Sequence, residues 1–143
     1  MEHNECVKKI VETLKTQKKW DIVYADLEDE QKPSALQDTN GNDRMPDVMA
    51  VKFSSNTDQN DLQNISQCVI YEVKEYDDFF SDEERSRGQL EAYTNFASQH
   101  NGRVNLIFTE RLNALQTLEV FAKLREWGFI KKVNLLDRNC NNL

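Results

Sequence analysis

Apolar and polar residues along this chain follow two periods, and the points where the period changes mark its elements. In "NECVKKIVETLKTQKKW" the residues Val7, Ile10, Val11 and Leu14 fall at i, i+3, i+4 and i+7, one stripe of an amphipathic helix. "WDIVYADL" is a short β-rich run, and the following "EDEQKPSALQDTNGNDRMP" gathers Pro, Gly, Asn, Asp and Ser, the residues of loops. "DVMAVKF" returns to alternation and predicts a strand. "SSNTDQNDLQNISQ" is a polar connection, and "CVIYEVKEY" predicts a second strand paired antiparallel with the first.

Ser81 stands three residues before Glu84, the capping-box spacing, and predicts a helix from there to about Gln99. "RVNLIFTE" reads as a buried strand. In "LNALQTLEVFAKLREWG" the residues Leu115, Leu118, Phe121, Ala122 and Leu124 recur at helical spacing, and Gly128 closes the helix at C′. "FIKKVNLL" predicts a last strand and "DRNCNNL" a frayed tail. The order α-β-loop-β-β-α-β-α-β predicts an α/β fold, a central mixed β-sheet flanked by helices, in one domain over 1–143.

Composition narrows the class. No apolar run approaches the roughly 20 residues that cross a bilayer, and "MEHNECVKK" lacks the layout of a signal peptide, so a cytoplasmic protein with no membrane partner is expected. Cys6, Cys68 and Cys140 are far apart and show no C-x-x-C spacing, and all three are expected as reduced thiols. The net charge of -7 discourages a nucleic-acid partner at first sight. Its distribution changes that, because Asp26 to Asp61 alone holds nine acidic against three basic residues and the remainder is close to neutral. Lys8, Lys9, Lys15, Lys18 and Lys19, or Lys131 and Lys132, are then available for a basic surface, although such runs more often only solvate a helix face.

The charges within "CVIYEVKEY" are the anomaly. Side chains alternate across a strand, so Val69, Tyr71 and Val73 share one face while Ile70, Glu72 and Lys74 share the other. In a sheet covered on both faces, Glu72 and Lys74 need a partner: a metal, each other or a third charged group. Asp47, directly after Pro46 at the start of the preceding strand, is placed to be that third member. Two carboxylates converging beside an ammonium suit a hard divalent cation and a scissile phosphate. The plain alternative is an ordinary ion pair at a sheet edge.

Pro46-Asp47 followed by Glu72-Val73-Lys74 resembles the signature of the PD-(D/E)XK nuclease superfamily. "QLEAY", with Gln89 and Tyr93 at i and i+4, is similar to the Q-x-x-x-Y motif of its RecB-like members. The resemblance spans roughly Met1 to Glu110 and implies a restriction endonuclease-like α-β-β-β-α-β core. It implies Asp47, Glu72 and the Val73 carbonyl as ligands of magnesium or manganese, Lys74 as the residue that orients water and stabilises charge at the phosphate, and Gln89 and Tyr93 as further site residues. E-x-K alone is a weak signal, since Glu30-Gln31-Lys32 matches it within a loop; the conjunction carries the resemblance. Tyr93 also fits a plain core stripe with Leu90, Phe96 and Ala97. Arg85 shares the Gln89 and Tyr93 face, where it contacts either a phosphate or solvent.

Many members carry a glutamate on the first helix that reaches the metal, but Glu5 and Glu12 project roughly opposite the apolar stripe, and neither is nominated. His3 and His100 are lone histidines without a partner at ligand or triad spacing. Three function classes follow: a magnesium-dependent deoxyribonuclease, a catalytically inactive nuclease-fold module binding nucleic acid or a protein partner, and an acidic protein-interaction module. Cutting both strands of duplex DNA would call for two sites and hence a homodimer.

Overall fold

The first apolar stripe does form a helix, α1 (His3–Gln17), which buries Cys6, Val7, Ile10, Val11 and Leu14 and ends where Lys18 turns to φ 57°. The computed structural model describes residues 2–55, 61–136 and Cys140. After α1 come β1 (Ile22–Ala25) and, within the expected loop, a small hairpin of β2 (Leu36–Gln37) and β3 (Asp43–Arg44). Strands of two residues are too short to show a period. Then follow β4 (Val48–Phe53), β5 (Ile65–Lys74), α2 (Tyr76–Ser81), α3 (Glu83–Gln99), β6 (Gly102–Phe108), α4 (Ala114–Glu126) and β7 (Val133–Leu135).

The α/β fold is built on one five-stranded mixed sheet of order β1-β4-β5-β6-β7. Strands β1, β4 and β5 pair antiparallel with one another, as expected for the two strands around the polar connection, and β6 and β7 add in parallel on the far side of β5. Without the hairpin and α2, the elements α1, β1, β4, β5, α3 and β6 keep the α-β-β-β-α-β order. Helix α1 covers one face of the sheet through Val48, Ala50, Val69, Val73 and Ile107. Helices α2, α3 and α4 cover the other through Met49, Val51, Cys68, Ile70, Leu106 and Phe108. Because both faces are covered, β4 is apolar almost throughout. Each fully buried Val or Met there contributes about 1.5–3 kcal/mol, so the sheet centre is stable enough to carry misfit residues nearby.

Three expectations are corrected. Ser81 ends α2 rather than starting the long helix; Asp82 is the N-cap of α3 and accepts the Arg85 N–H, so the start shifts by one residue. The acidic cap and the Glu83 and Glu84 that follow it suit the positive end of the helix dipole. In α4 the buried residues are Val120 and Leu124, while Leu115 and Leu118 are 66% and 65% exposed and Phe121 is also exposed. The i, i+4 pair, not the longer i, i+3 series, faces the sheet. Finally, Cys6 and Cys140 are disulfide-bonded across 134 positions, and only Cys68 is a free thiol, buried under α3. Such a separation leaves no local spacing to read. Most of the expected tail lies outside the described residues. Among the described residues no helix is long and apolar enough to cross a membrane.

Candidate active site

The register of the central hairpin builds the site. Val48 pairs with Tyr71, so Asp47, one residue before β4, stands across from Glu72 on β5. The Val73 N–H donates to Asp47 Oδ2 at 2.8 Å, which fixes the carboxylate against the strand. The start of β4 is held from α3 as well: Tyr93 is buried and its hydroxyl donates to the Met45 carbonyl at 2.9 Å. Pro46 favours an extended Met45, and the tyrosine fixes that choice.

Glu72 is 3% exposed, and its Oε1 is buried without a donor bonded to it. Its Oε2 lies 3.6 Å from Lys74 Nζ, which itself donates to Gln89 Oε1 at 2.6 Å. Burial first, and the Asp47 charge second, push the Glu72 carboxyl well above its ordinary range, against the pull of Lys74. Asp47 goes the other way. Burial would raise it, but hydrogen bonds from His3 and Glu72 and the Val73 N–H hold it below the ordinary range. The two carboxyls therefore titrate as a coupled pair pushed apart, Glu72 the weaker acid and Asp47 the stronger. Leaving a carboxyl in such a place costs several kcal/mol unless something compensates it, so packing alone does not explain Glu72.

Asp47, Glu72, Val73, Lys74 and Gln89 line one cavity of about 620 Å³. Tyr93 does not line it and lies behind it, where it acts on the backbone ahead of Asp47. Arg85 does reach the cavity. Sequence reasoning missed His3, whose Nε2 lies 3.3 Å from Asp47 Oδ1. Hydrogen bonding to Asp47 raises its imidazole above the usual value, against the effect of burial. A signal was present: His3 precedes Val7 by four, which extends the buried stripe of α1 by one turn. Glu5 and Glu12 are exposed, as their positions opposite the stripe implied. The hairpin adds Arg44 to the cavity wall, also unforeseen.

The acidic oxygens that Asp47 and Glu72 bring to the cavity are hard, and Glu72 Oε1 is buried without a hydrogen-bond partner. That chemistry fits magnesium or manganese. Among the described residues no group of three or more His, Cys, Asp and Glu side chains is arranged around a common metal position. No protein-family model, curated protein or solved structure matches the chain.

Proposed function

We propose that this chain is a metal-dependent nuclease of the PD-(D/E)XK type that hydrolyses DNA phosphodiester bonds, with Asp47, Glu72 and Lys74 at its centre. The observation that carries the proposal is the buried Glu72 carboxyl, with an oxygen that no donor satisfies, set between the Asp47 carboxylate and the Lys74 ammonium on a cavity wall. A magnesium or manganese ion held by Asp47, Glu72 and the Val73 carbonyl would polarise the phosphate and lower the pKa of water.

The protein's own residues prepare for that chemistry. Asp47 is anionic and immobilised by the Val73 N–H and by His3. Burial and the Asp47 charge make Glu72 the weaker acid of the pair, and an arriving cation would favour its ionised form. The Gln89 amide oxygen accepts one Lys74 N–H as a neutral partner and keeps the ammonium from collapsing onto Glu72. Lys74 is thereby left to hold water and stabilise the charge that develops on the phosphate. Tyr93 sets the backbone from which Asp47 projects. A homodimer would place two such sites on the two strands of a duplex. A cytoplasmic location suits a DNA substrate, whereas the Cys6–Cys140 disulfide is of the kind kept in oxidising compartments.

One feature favours a second function. Asp26, Asp43, Glu75, Asp78 and Asp82 also line the cavity, and so acidic a rim suits a catalytically inactive nuclease-fold module that binds a protein partner or nucleic acid. The test is incubation of the purified protein with linear, nicked, branched and single-stranded DNA, with magnesium and with manganese. Metal-dependent cleavage of any of them supports the nuclease. A folded protein inactive on all four selects the binding module.

A further inference from the structure

Gly88 lies in the interior of α3 with ordinary helical backbone, where glycine is the poorest residue short of proline. Its reason is an approach: a methyl group added there would sit 2.5 Å from Arg44 Nη2 and 2.9 Å from Arg44 Cζ. The guanidinium of Arg44 therefore lies flat against the bare backbone of α3.

The β2–β3 hairpin holds it there. Asp38, buried in the hairpin, accepts Arg44 Nε–H with Oδ2 at 3.1 Å and the Asn40 and Asn42 N–H groups with Oδ1. Thr39 donates its N–H and its hydroxyl to Glu91 on α3, a second tether beside the first. Asp38 engages one edge of the arginine fork. Among the described residues the fork's terminal nitrogens have no hydrogen-bond partner, and Arg44 lines the cavity that holds Asp47, Glu72 and Lys74.

The cavity gives that free edge a purpose. Its lining includes seven carboxyl side chains, which repel a phosphodiester, and only Lys74, Arg44 and Arg85 as permanent cations. Lys74 is engaged by Gln89 and Glu72, and Arg85 is exposed. Arg44 is fixed in direction and, among the described residues, keeps both terminal nitrogens of its fork open. A planar pair of N–H groups at fixed orientation matches two oxygens of one phosphate.

We propose that Arg44 is a phosphate-binding residue, carried by the β2–β3 hairpin over Gly88 so that its free edge grips a backbone phosphate of DNA lying in the cavity. This rests on the nuclease reading of the same site and adds to it the element that receives the strand. Asp38 and Gly88 are positioning residues: one aims the guanidinium and the other makes room for it.

The experiment measures binding of a fluorescently labelled DNA oligonucleotide across a salt series, in EDTA, with thermal melting of each protein. Arg44→Ala is expected to weaken binding at least tenfold and to lower the slope of log affinity against log salt by about one. Gly88→Ala leaves the net charge unchanged, and its gain in helix propensity is set against the loosened Arg44–Asp38 pair, so it should remain folded with a cooperative melt. Its binding should nonetheless fall like that of Arg44→Ala, because the added methyl displaces the guanidinium. Wild-type affinity and salt slope in both variants would overturn the role of Arg44 while leaving the nuclease intact. Failure of the wild-type protein to bind or cleave DNA would overturn both together.

Discussion

Lys74 Nζ lies 2.6 Å from the amide oxygen of Gln89 but 3.6 Å from the carboxylate oxygen of Glu72. The neutral acceptor on α3 thus holds the ammonium more closely than the acid two residues away on its own strand. Replacing Gln89 with alanine should let Lys74 settle onto Glu72. The expected result is a cleavage rate lower by roughly 10-fold, the scale of one misaligned electrostatic contact, with stability changed by about 1 kcal/mol or less. Single-turnover rates beside urea denaturation check it, and an unchanged rate would remove Gln89 from the site.

Glu72 makes stability depend on pH with a predictable sign. Its folded value is raised above the unfolded one, so between the two the native state holds a proton that the unfolded chain has released. Stability conferred by the protonated form is present at acidic pH and lost as pH rises through that window. Asp47, with a depressed folded value, adds stability above its unfolded value of 3.8 that is lost as pH falls. Glu72→Gln keeps the shape and removes the proton equilibrium. It should flatten the decline toward alkaline pH. Urea titrations at pH 5 and pH 8 measure this, and equal pH slopes in both proteins would contradict it.

Magnesium or manganese should raise the melting temperature of the wild-type protein, and more so at higher pH, because loading displaces the Glu72 proton. Asp47→Asn should abolish the shift. A thermal scan at millimolar metal reads it directly, and an equal shift in the variant would place the ion elsewhere.

The cysteines offer a count. Cys6 and Cys140 are bonded, and burial pushes the remaining Cys68 thiol up to about 11. Thiol titration of unreduced protein should find none in the native state and one after denaturation; reduction should raise the count to all three. Closing so long a loop stabilises the fold by up to about 5 kcal/mol, so reduction should lower the melting temperature. Three thiols without a reductant would show the pair open.

The legible part of the site is the part built on a strand. Period two on β5 separates Glu72 and Lys74 from Val73, and the antiparallel pairing across a short connection brings Asp47 opposite Glu72. Gln89 was reached only through the resemblance of "QLEAY" to the Q-x-x-x-Y motif. What the pattern could not supply depends on contacts between elements far apart in sequence. His3 touches Asp47 only because α1 crosses the start of β4, Arg44 arrives on a hairpin too short for any period, and Tyr93 acts on the Met45 carbonyl rather than on the cavity. For α4 the sequence offered two apolar faces, and which of them packs depended on the sheet.

Cleavage by Lys74→Ala, compared with the wild-type protein on the same DNA in manganese, tests the central claim most directly. Lys74 contributes neither a metal ligand nor a large part of the core, so the variant should fold and still gain stability from the metal. Its cleavage rate should nonetheless fall by on the order of 10²- to 10³-fold, the loss expected when a charge that stabilises the transition state is removed. A folded, metal-binding Lys74→Ala that cleaves at the wild-type rate would contradict the account, because the activity would then belong to another site or another protein.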